Sequence, residues 1–222
     1  MKRHRASLNS VLLALAAALL LPAAVAQAKT AELGAMADEV RGSCPASCQA
    51  VSRTTGYQAK VGPDRALYQA PSNGRIVAWT IALGKPGSKQ TAFFNDRLGG
   101  TAQAAIVVLQ PGARLRRTVV AKGPVQRLTP YFGTMVQFPL IKTLAIKKGQ
   151  YIGLTVPTWV PALQVSLGND TSWRSSRAAD GCGDTASQSA ILGGRTRATF
   201  KCLYRTARLT YSATFVPTPS RG

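Results

Sequence analysis

Two tryptophans and a group of polar residues in the second half of the chain have the chemistry of a sugar-binding site. Trp159 and Trp173 lie in predicted loops on either side of a predicted strand, and Asn169, Asp170 and Arg174 lie beside the second tryptophan. Flat aromatic faces pack against the C–H groups of sugar rings, while amide, carboxylate and guanidinium groups bind hydroxyls. We therefore predict a ligand site at these five residues. The alternative is that the tryptophans cap the core, because indole side chains are usually well buried.

The shortage of histidine restricts the enzymatic chemistry of the chain. The single histidine, His4, lies in an N-terminal segment that we predict to be removed. Without histidine, Ser-His-Asp and Cys-His nucleophilic sites are excluded, as are histidine-ligated zinc and copper sites. The chain also has no phosphate-binding glycine loop and no dinucleotide fingerprint. We predict no catalytic residue, no metal and no cofactor.

Carboxylates leave polysaccharide chemistry as an alternative. Glycosidases use two carboxylates, and Asp170 with Asp180 or Asp184 is the only pair that the sequence suggests. The same aspartates also suit ordinary turns. A lyase acting on an acidic polysaccharide would need a base and a cation. The candidates for these two roles are Tyr204, Arg205 and Arg208.

The four cysteines are Cys44, Cys48, Cys182 and Cys202. An even number of cysteines in an exported chain predicts disulfide bonds. Four cysteines allow three pairings, and we prefer Cys44 with Cys48 and Cys182 with Cys202. A four-cysteine zinc site is the rival use, which we do not expect outside the cell.

The N-terminus has the three parts of a secretory signal peptide. Basic residues come first, an apolar run follows at 11–26, and Ala26-Gln27-Ala28 is a small-residue cleavage site. The apolar run is too short to span a membrane comfortably. We predict a signal peptide at 1–28, an N-terminal tail at 29–47 and one domain at 48–222. The segment 29–41 has the apolar spacing of a helix that is too short to be stable alone, so we expect a mobile tail or a loosely docked turn. The mature protein is expected to be secreted without a transmembrane segment, in an extracellular or envelope-associated location.

Positive charge dominates the chain, which has 28 Lys and Arg against 8 Asp and Glu. Three of the basic residues lie in the predicted signal peptide, so the mature chain keeps 25 and has a formal charge of +17. The stretch 97–169 contains nine basic residues and no acid. Such a surface either serves solubility or binds anionic polymers. No nucleic-acid motif accompanies the charge, so we predict no specific nucleic-acid partner.

Short runs of alternating apolar residues predict an all-β protein. The long connection at 84–101 is expected to be a loop in which Phe93 and Phe94 fold back on the core. We predict an antiparallel two-sheet sandwich, jelly-roll-like, with two disulfides; a closed barrel is the alternative. The predicted strands are at 57–61, 66–70, 75–83, 103–110, 114–121, 124–128, 135–140, 144–146, 152–156, 163–167, 197–203 and 205–216.

The segment 144–156 has apolar runs separated by Lys147-Lys148-Gly149-Gln150, which is a turn signal. This pattern resembles the late strands of secreted jelly-roll binding modules. The mature chain as a whole is similar to exported β-sandwich proteins of actinobacterial type, which implies a fold and a compartment but no activity. We predict a secreted, non-catalytic binding module for an extracellular or cell-surface polymer, with a glycan preferred and an anionic polymer as the other class of partner. The alternatives are a polysaccharide-active enzyme, lyase or glycosidase, and a structural envelope protein.

Overall fold

The computed structural model describes residues 30–177, 179–183 and 188–219. The predicted signal peptide and Asp184 lie outside these residues. Short 3-10 helices occur at Thr129–Tyr131 and Ala179–Gly181. The other elements are β1 (Ala31–Leu33), β2 (Val51–Lys60), β3 (Gly74–Ala82), α1 (Ser88–Arg97), β4 (Gln103–Pro111), β5 (Arg116–Lys122), β6 (Gln126–Arg127), β7 (Met135–Ile146), β8 (Tyr151–Val160), β9 (Leu163–Gln164), β10 (Ser172–Ser175), β11 (Arg197–Thr199), β12 (Cys202–Arg205), β13 (Arg208–Leu209) and β14 (Tyr211–Pro217).

Two antiparallel sheets enclose the main core, which confirms the all-β sandwich. The small sheet has the strand order β1-β14-β3-β7. The large sheet has the order β11-β5-β4-β8-β2-β10-β12, and β6 also pairs with β4. Apolar side chains from both sheets meet in one buried cluster because alternate residues of each strand point to the same face. Its members include Trp79, Ile81, Ile106, Leu154 and Phe215.

The large sheet curls, so that its two end strands, β11 and β12, are separated in sequence by only Phe200 and Lys201. A second apolar cluster lies on the face of this sheet away from the main core. Because both faces of β4 are covered, its residues are buried on both sides, as its continuous apolar sequence predicts. The members of the second cluster are Tyr57, Val107, Leu109, Val119, Ile191 and Phe200.

A bulge in β3 changes the side chains that this strand gives to the core. Ile76 and Ala78 take consecutive pairing positions against β14, so Val77 is an extra residue. An extra residue reverses the alternation of side chains. Ile76 therefore lies in the core with Trp79, and Val77 is only half-buried. Simple alternation along 75–83 predicts that Val77 shares the face of Trp79, and the bulge makes this prediction wrong.

The N-terminal segment is docked on the domain and contains no helix. Ala31–Leu33 forms β1 and pairs with Ala213–Phe215 of β14. Leu33 and Val40 are buried. The helical apolar spacing of 29–41 does not produce a helix in residues 30–41, because the segment completes a sheet edge, which supplies backbone hydrogen bonds that an isolated short helix cannot match.

Two further local predictions were wrong. The segment 66–70 makes turns and one isolated bridge in place of a strand. The Asn-Gly pair at 73–74 is a hairpin signal in the sequence. It does not connect two paired strands, because residues 66–70 form no strand that could pair with β3, which begins at Gly74. A Cβ atom at Gly74 would lie 2.3 Å from the carbonyl oxygen of Val216, so close packing requires glycine there.

The predicted loop at 84–101 contains the helix α1. This helix has no buried residue, so its sequence lacks the apolar periodicity that identifies helices. Phe94 packs against Trp159 with ring centroids 4.8 Å apart, while Phe93 is 58% exposed. Only one of the two phenylalanines thus folds back on the core.

Both disulfides have the pairing preferred from the sequence. Cys44 bonds to Cys48, and Cys182 bonds to Cys202. The second bond attaches the segment after β10 to the first residue of β12. Within the residues that the structure describes, no helix has the length and apolar character needed to cross a membrane.

Gly153 in β8 is required by packing, and replacing it by alanine is expected to lower the free energy of unfolding by about 1–3 kcal/mol. A Cβ atom there would lie 2.7 Å from Leu109 Cδ1 and 2.9 Å from the carbonyl oxygen of Gly56. Urea unfolding followed by circular dichroism measures the change. Gly194→Ala is the control, since nothing lies within 4 Å of its added methyl group. Equal stability of the two variants would contradict the close packing of β8.

Candidate functional site

Trp159 lies in β8 and its side chain is completely buried. Its indole Nε1 donates hydrogen bonds to Asn95 Oδ1 at 3.0 Å and to the carbonyl oxygen of Gly100 at 2.9 Å. The rings of Phe94 and Phe132 pack against it at 4.8 and 5.5 Å. Trp159 therefore caps the core, and it has no free face for a sugar ring.

Trp173 is also buried, in β10, where it stacks on Tyr204 with ring centroids 4.3 Å apart. Beside it, Arg174 Nη1 donates to the carbonyl oxygens of Phe200 and Lys201, both at 3.2 Å. The prediction that both tryptophans lie in loops was wrong. The sugar-stacking platform expected from the sequence is therefore not assembled.

The remaining predicted residues lie in an ordinary turn. Asn169 and Asp170 are exposed, and the Thr171 backbone N–H donates to the carbonyl oxygen of Gly168 at 3.0 Å. This bond closes the turn, in agreement with the turn interpretation of the sequence. Asp180 is exposed in a 3-10 helix.

The lyase candidates do not share a groove. Tyr204 donates its hydroxyl proton to the carbonyl oxygen of Cys182 at 2.6 Å. Arg208 is buried and donates to the carbonyl oxygens of Gly34 at 3.2 Å and Ala35 at 2.7 Å. Arg205 is exposed at the end of β12. No group of three metal-ligating side chains occurs among residues 30–177, 179–183 and 188–219.

The structure does bring together a group of exposed cations on β5 and β11, which we call the arginine ribbon. These two antiparallel strands pair Arg116 with Thr199 and Thr118 with Arg197. Residues two apart point to one face, so Arg116 and Arg197 lie on the same face as diagonal neighbours, which are about 7–8 Å apart in such a pair. The ribbon consists of Arg114, Arg116, Arg195, Arg197 and Lys201, all of them exposed.

Backbone hydrogen bonds fix the parts of the ribbon that lie beyond the strands. Arg195 N–H donates to the carbonyl oxygen of Val119 at 2.7 Å. At the other end, Phe200 N–H donates to the carbonyl oxygen of Leu115 at 3.0 Å. Arg114 and Arg195 both have positive φ angles, which end the regular strand pairing on either side. The chain thus holds the cations on a short, rigid two-stranded surface.

The opposite face of β5 explains why these arginines point outward. Arg117 turns inward and lies over the rings of Tyr57 and Tyr151 at 5.0 and 5.7 Å. Its Nη2 donates to the Tyr57 hydroxyl at 3.2 Å. Burial raises the pKa of Tyr57, and the positive charge of Arg117 opposes this change. Because Arg117 is fixed on the inner face, Arg116 must project to the outer face.

Within residues 30–177, 179–183 and 188–219, no carboxylate forms an ion pair with a ribbon residue, although Asp180 lines a surface pocket together with Lys201. The one ion pair in the described parts of the chain joins Arg97 to Asp96 at 3.2 Å, on the surface of α1. Like charges on neighbouring strands repel one another and reduce stability. A bound polyanion would remove this repulsion, so the ribbon is a candidate anion-binding surface. Direct pairing with Thr118 and Thr199 also places two hydroxyl groups between the arginines.

Part of the arginine ribbon can be recognised in the sequence. Arg114, Arg116, Arg195 and Arg197 occur at alternate positions in two segments that have no acid. Sequence reasoning missed the site because nothing in the alternation shows that β5 pairs with a strand about 80 residues later. The chain matches no protein-family model, no curated protein and no solved structure. The resemblance to exported actinobacterial proteins therefore stays a prediction.

Proposed function

We propose that the protein is an exported, non-catalytic module that binds an acidic glycan in the extracellular space or on the cell surface through the arginine ribbon. The observation that carries the proposal is the set of five exposed cations, two on the paired strands β5 and β11 and three next to the ends of these strands, without an ion-pair partner in the described residues. Residues on one face of a strand repeat roughly every 6.8 Å. Arg116 and Arg197 lie on one face of the paired strands, and a linear polyanion that crosses them would also meet the cations next to the strand ends, Arg114, Arg195 and Lys201.

Arginine favours the carboxylate of a sugar acid. A guanidinium group presents a planar fork that forms two parallel hydrogen bonds with a carboxylate, whereas a lysine ammonium acts as a point charge. Four of the five ribbon cations are arginines, and the two threonine hydroxyls between them can bond to sugar hydroxyls. These groups suit a uronate polymer, which has carboxylates and hydroxyls on each ring.

Charge reversal of the ribbon, Arg116→Glu with Arg197→Glu, is expected to weaken binding of polygalacturonate about tenfold or more at low salt. The reason is that two attractive charges become repulsive in the middle of the contact surface. Binding is measured by titration calorimetry between 50 and 200 mM salt. The matched control, Arg65→Glu with Arg127→Glu, makes the same change in net charge at two exposed positions outside the ribbon.

The comparison separates the ribbon from the net charge of the whole surface. If the control pair weakens binding as much as the ribbon pair, the net charge is responsible and the proposed site is wrong. If the binding affinity of the wild type falls more steeply with increasing salt concentration than that of the ribbon variant, this result supports direct ion contacts between the ribbon and the glycan. Tighter binding of double-stranded DNA than of polygalacturonate at the same salt would contradict the assignment to an acidic glycan.

A further inference from the structure

A second surface feature is an open groove of about 710 Å³ between β7 and the segment 121–126. The groove lies at the C-terminal end of β5, beyond the residues of this strand that carry the arginine ribbon. The nearest ribbon residue is Arg195, which bonds to Val119, so the two sites are about 10 Å apart along the strand. The lining residues include Arg75, Lys122, Pro124, Ile141, Lys142 and Leu144.

The groove exists because β7 has a large bulge. Ala78 of β3 pairs with Pro139, and Ile76 pairs with Leu144. The four residues at 140–143 therefore lie opposite the single residue Val77. β7 is the edge strand of the small sheet, where a bulge and a proline can be accommodated without breaking the sheet.

The bulge gives the groove an apolar wall. Ile141 projects from it with its side chain fully exposed, and Pro124 is exposed on the opposite segment. The floor is closed by Gly123, where an added Cβ atom would lie 3.0 Å from Ile106 Cγ2 and 3.3 Å from Leu140 Cδ2. An aliphatic side chain this exposed is normal when single, but here it stands beside other apolar residues in a groove, which is typical of a binding surface.

Three cations share the groove with these apolar residues. The guanidinium of Arg75 is held by Thr143, because its Nε donates to the side-chain oxygen and its Nη2 donates to the carbonyl oxygen at 3.0 Å. Lys122 Nζ donates to the carbonyl oxygen of Gly123 at 3.3 Å, and Lys142 is exposed. None of the lining residues is acidic. The groove therefore combines positive charge with aliphatic surface.

We propose that this groove binds an anionic amphiphile, which is a molecule with a phosphate or carboxylate head and an aliphatic chain. The head lies between Lys122, Lys142 and Arg75, and the chain packs on Ile141 and Pro124. Arg75 uses its Nε and Nη2 for Thr143, so this edge of its fork is occupied and it acts mainly as a fixed positive charge. This ligand differs from the acidic glycan proposed for the ribbon, because a polysaccharide chain lacks the aliphatic part.

Dodecyl phosphate, used below its micelle concentration, is the probe for the groove. Ile141→Ser and the pair Lys122→Gln with Lys142→Gln are each expected to weaken its binding about tenfold, since one removes apolar contact and the other removes charge. The matched controls are Leu192→Ser, another exposed aliphatic residue, and Lys85→Gln with Lys89→Gln, two exposed lysines elsewhere. Inorganic phosphate and dodecanol should each bind at least tenfold more weakly than dodecyl phosphate.

Several results would overturn the proposal. These are an absence of dodecyl phosphate binding, equal losses in the groove and control variants, or binding of inorganic phosphate as tight as that of dodecyl phosphate. The ribbon pair Arg116→Glu with Arg197→Glu should leave dodecyl phosphate binding unchanged, so the failure of one proposal does not imply the failure of the other. Vesicles of phosphatidylglycerol distinguish the source of the amphiphile. Capture that is lost in Ile141→Ser indicates a bilayer lipid, and binding of the monomer alone indicates a free amphiphile.

Discussion

Replacement of Trp159 by alanine is expected to lower the free energy of unfolding by about 3–5 kcal/mol. The indole is completely buried and packs against Phe94 of α1 and Phe132. Its removal leaves a cavity between the helix and the large sheet. It also leaves Asn95 Oδ1 and the carbonyl oxygen of Gly100 without the donor that they share. Both losses act on the folded state, and the effect on any ligand follows only from the loss of stability.

Urea unfolding followed by circular dichroism measures this effect. Trp159→Phe is the matched comparison, because it keeps one aromatic ring and loses the second ring together with the N–H donor, and it is expected to cost less than alanine, about 1–3 kcal/mol. Sedimentation on insoluble glycan tests the alternative role of the tryptophan. If Trp159→Ala keeps wild-type stability and loses glycan binding, the indole is a ligand platform and its buried position is wrong.

Above pH 10 the protein is expected to lose stability because of two buried tyrosines. Burial raises the pKa of Tyr68, although the nearby Arg208 opposes the change, and burial raises the pKa of Tyr211 well above its ordinary value of 10.0. Below pH 10 both side chains are protonated in the folded and unfolded states, so their contribution is fully present. As the pH rises above 10, the unfolded chain releases these protons and the folded chain keeps them. Stability therefore falls with increasing pH.

The expected decrease is about 1.4 kcal/mol for each tyrosine and each pH unit above 10, until the pKa of the folded state is reached. Urea midpoints between pH 8 and pH 12 measure it. The pair Tyr68→Phe with Tyr211→Phe should flatten this slope, even if loss of the Tyr211 hydrogen bond to the carbonyl oxygen of Ile152 lowers stability at every pH. Tyr131→Phe, at a half-buried position, is the control and should keep the wild-type slope. A wild-type slope in the double variant would exclude the buried tyrosines as the cause.

The sequence predicts the parts of the fold that depend on local alternation and turn chemistry. Gly149 has a φ of 82°, as the turn between β7 and β8 requires. Alternation along the predicted strand at 205–216 indicates that every second side chain points inward, and these side chains are buried. They are Ala207, Leu209, Tyr211, Ala213 and Phe215. Both properties are set by neighbouring residues, so no knowledge of distant partners is needed.

Predictions failed where distant pairing decides the structure. Pro157 and Pro161 suggest a loop around Trp159, but β8 continues through Pro157. The strand accommodates the proline at a register shift, because Ser52 pairs with Trp159 while Thr54 pairs with Val156. The tryptophan thus belongs to a central strand and is buried. The arginine ribbon was missed for the same reason, since β5 and β11 become neighbours only when the large sheet curls.

The position of β14 has a consequence for the kinetics of folding. This strand lies between β1 and β3 in the small sheet, so β3 lacks one of its two partners until residues 211–217 arrive. Pairing of β1 with β14 also joins segments about 180 residues apart in sequence. Contacts of such long sequence separation form slowly, and we expect folding in milliseconds to seconds, as in other β-sandwiches. Until that step the nascent chain has no complete core. It therefore remains unfolded and accessible to chaperones.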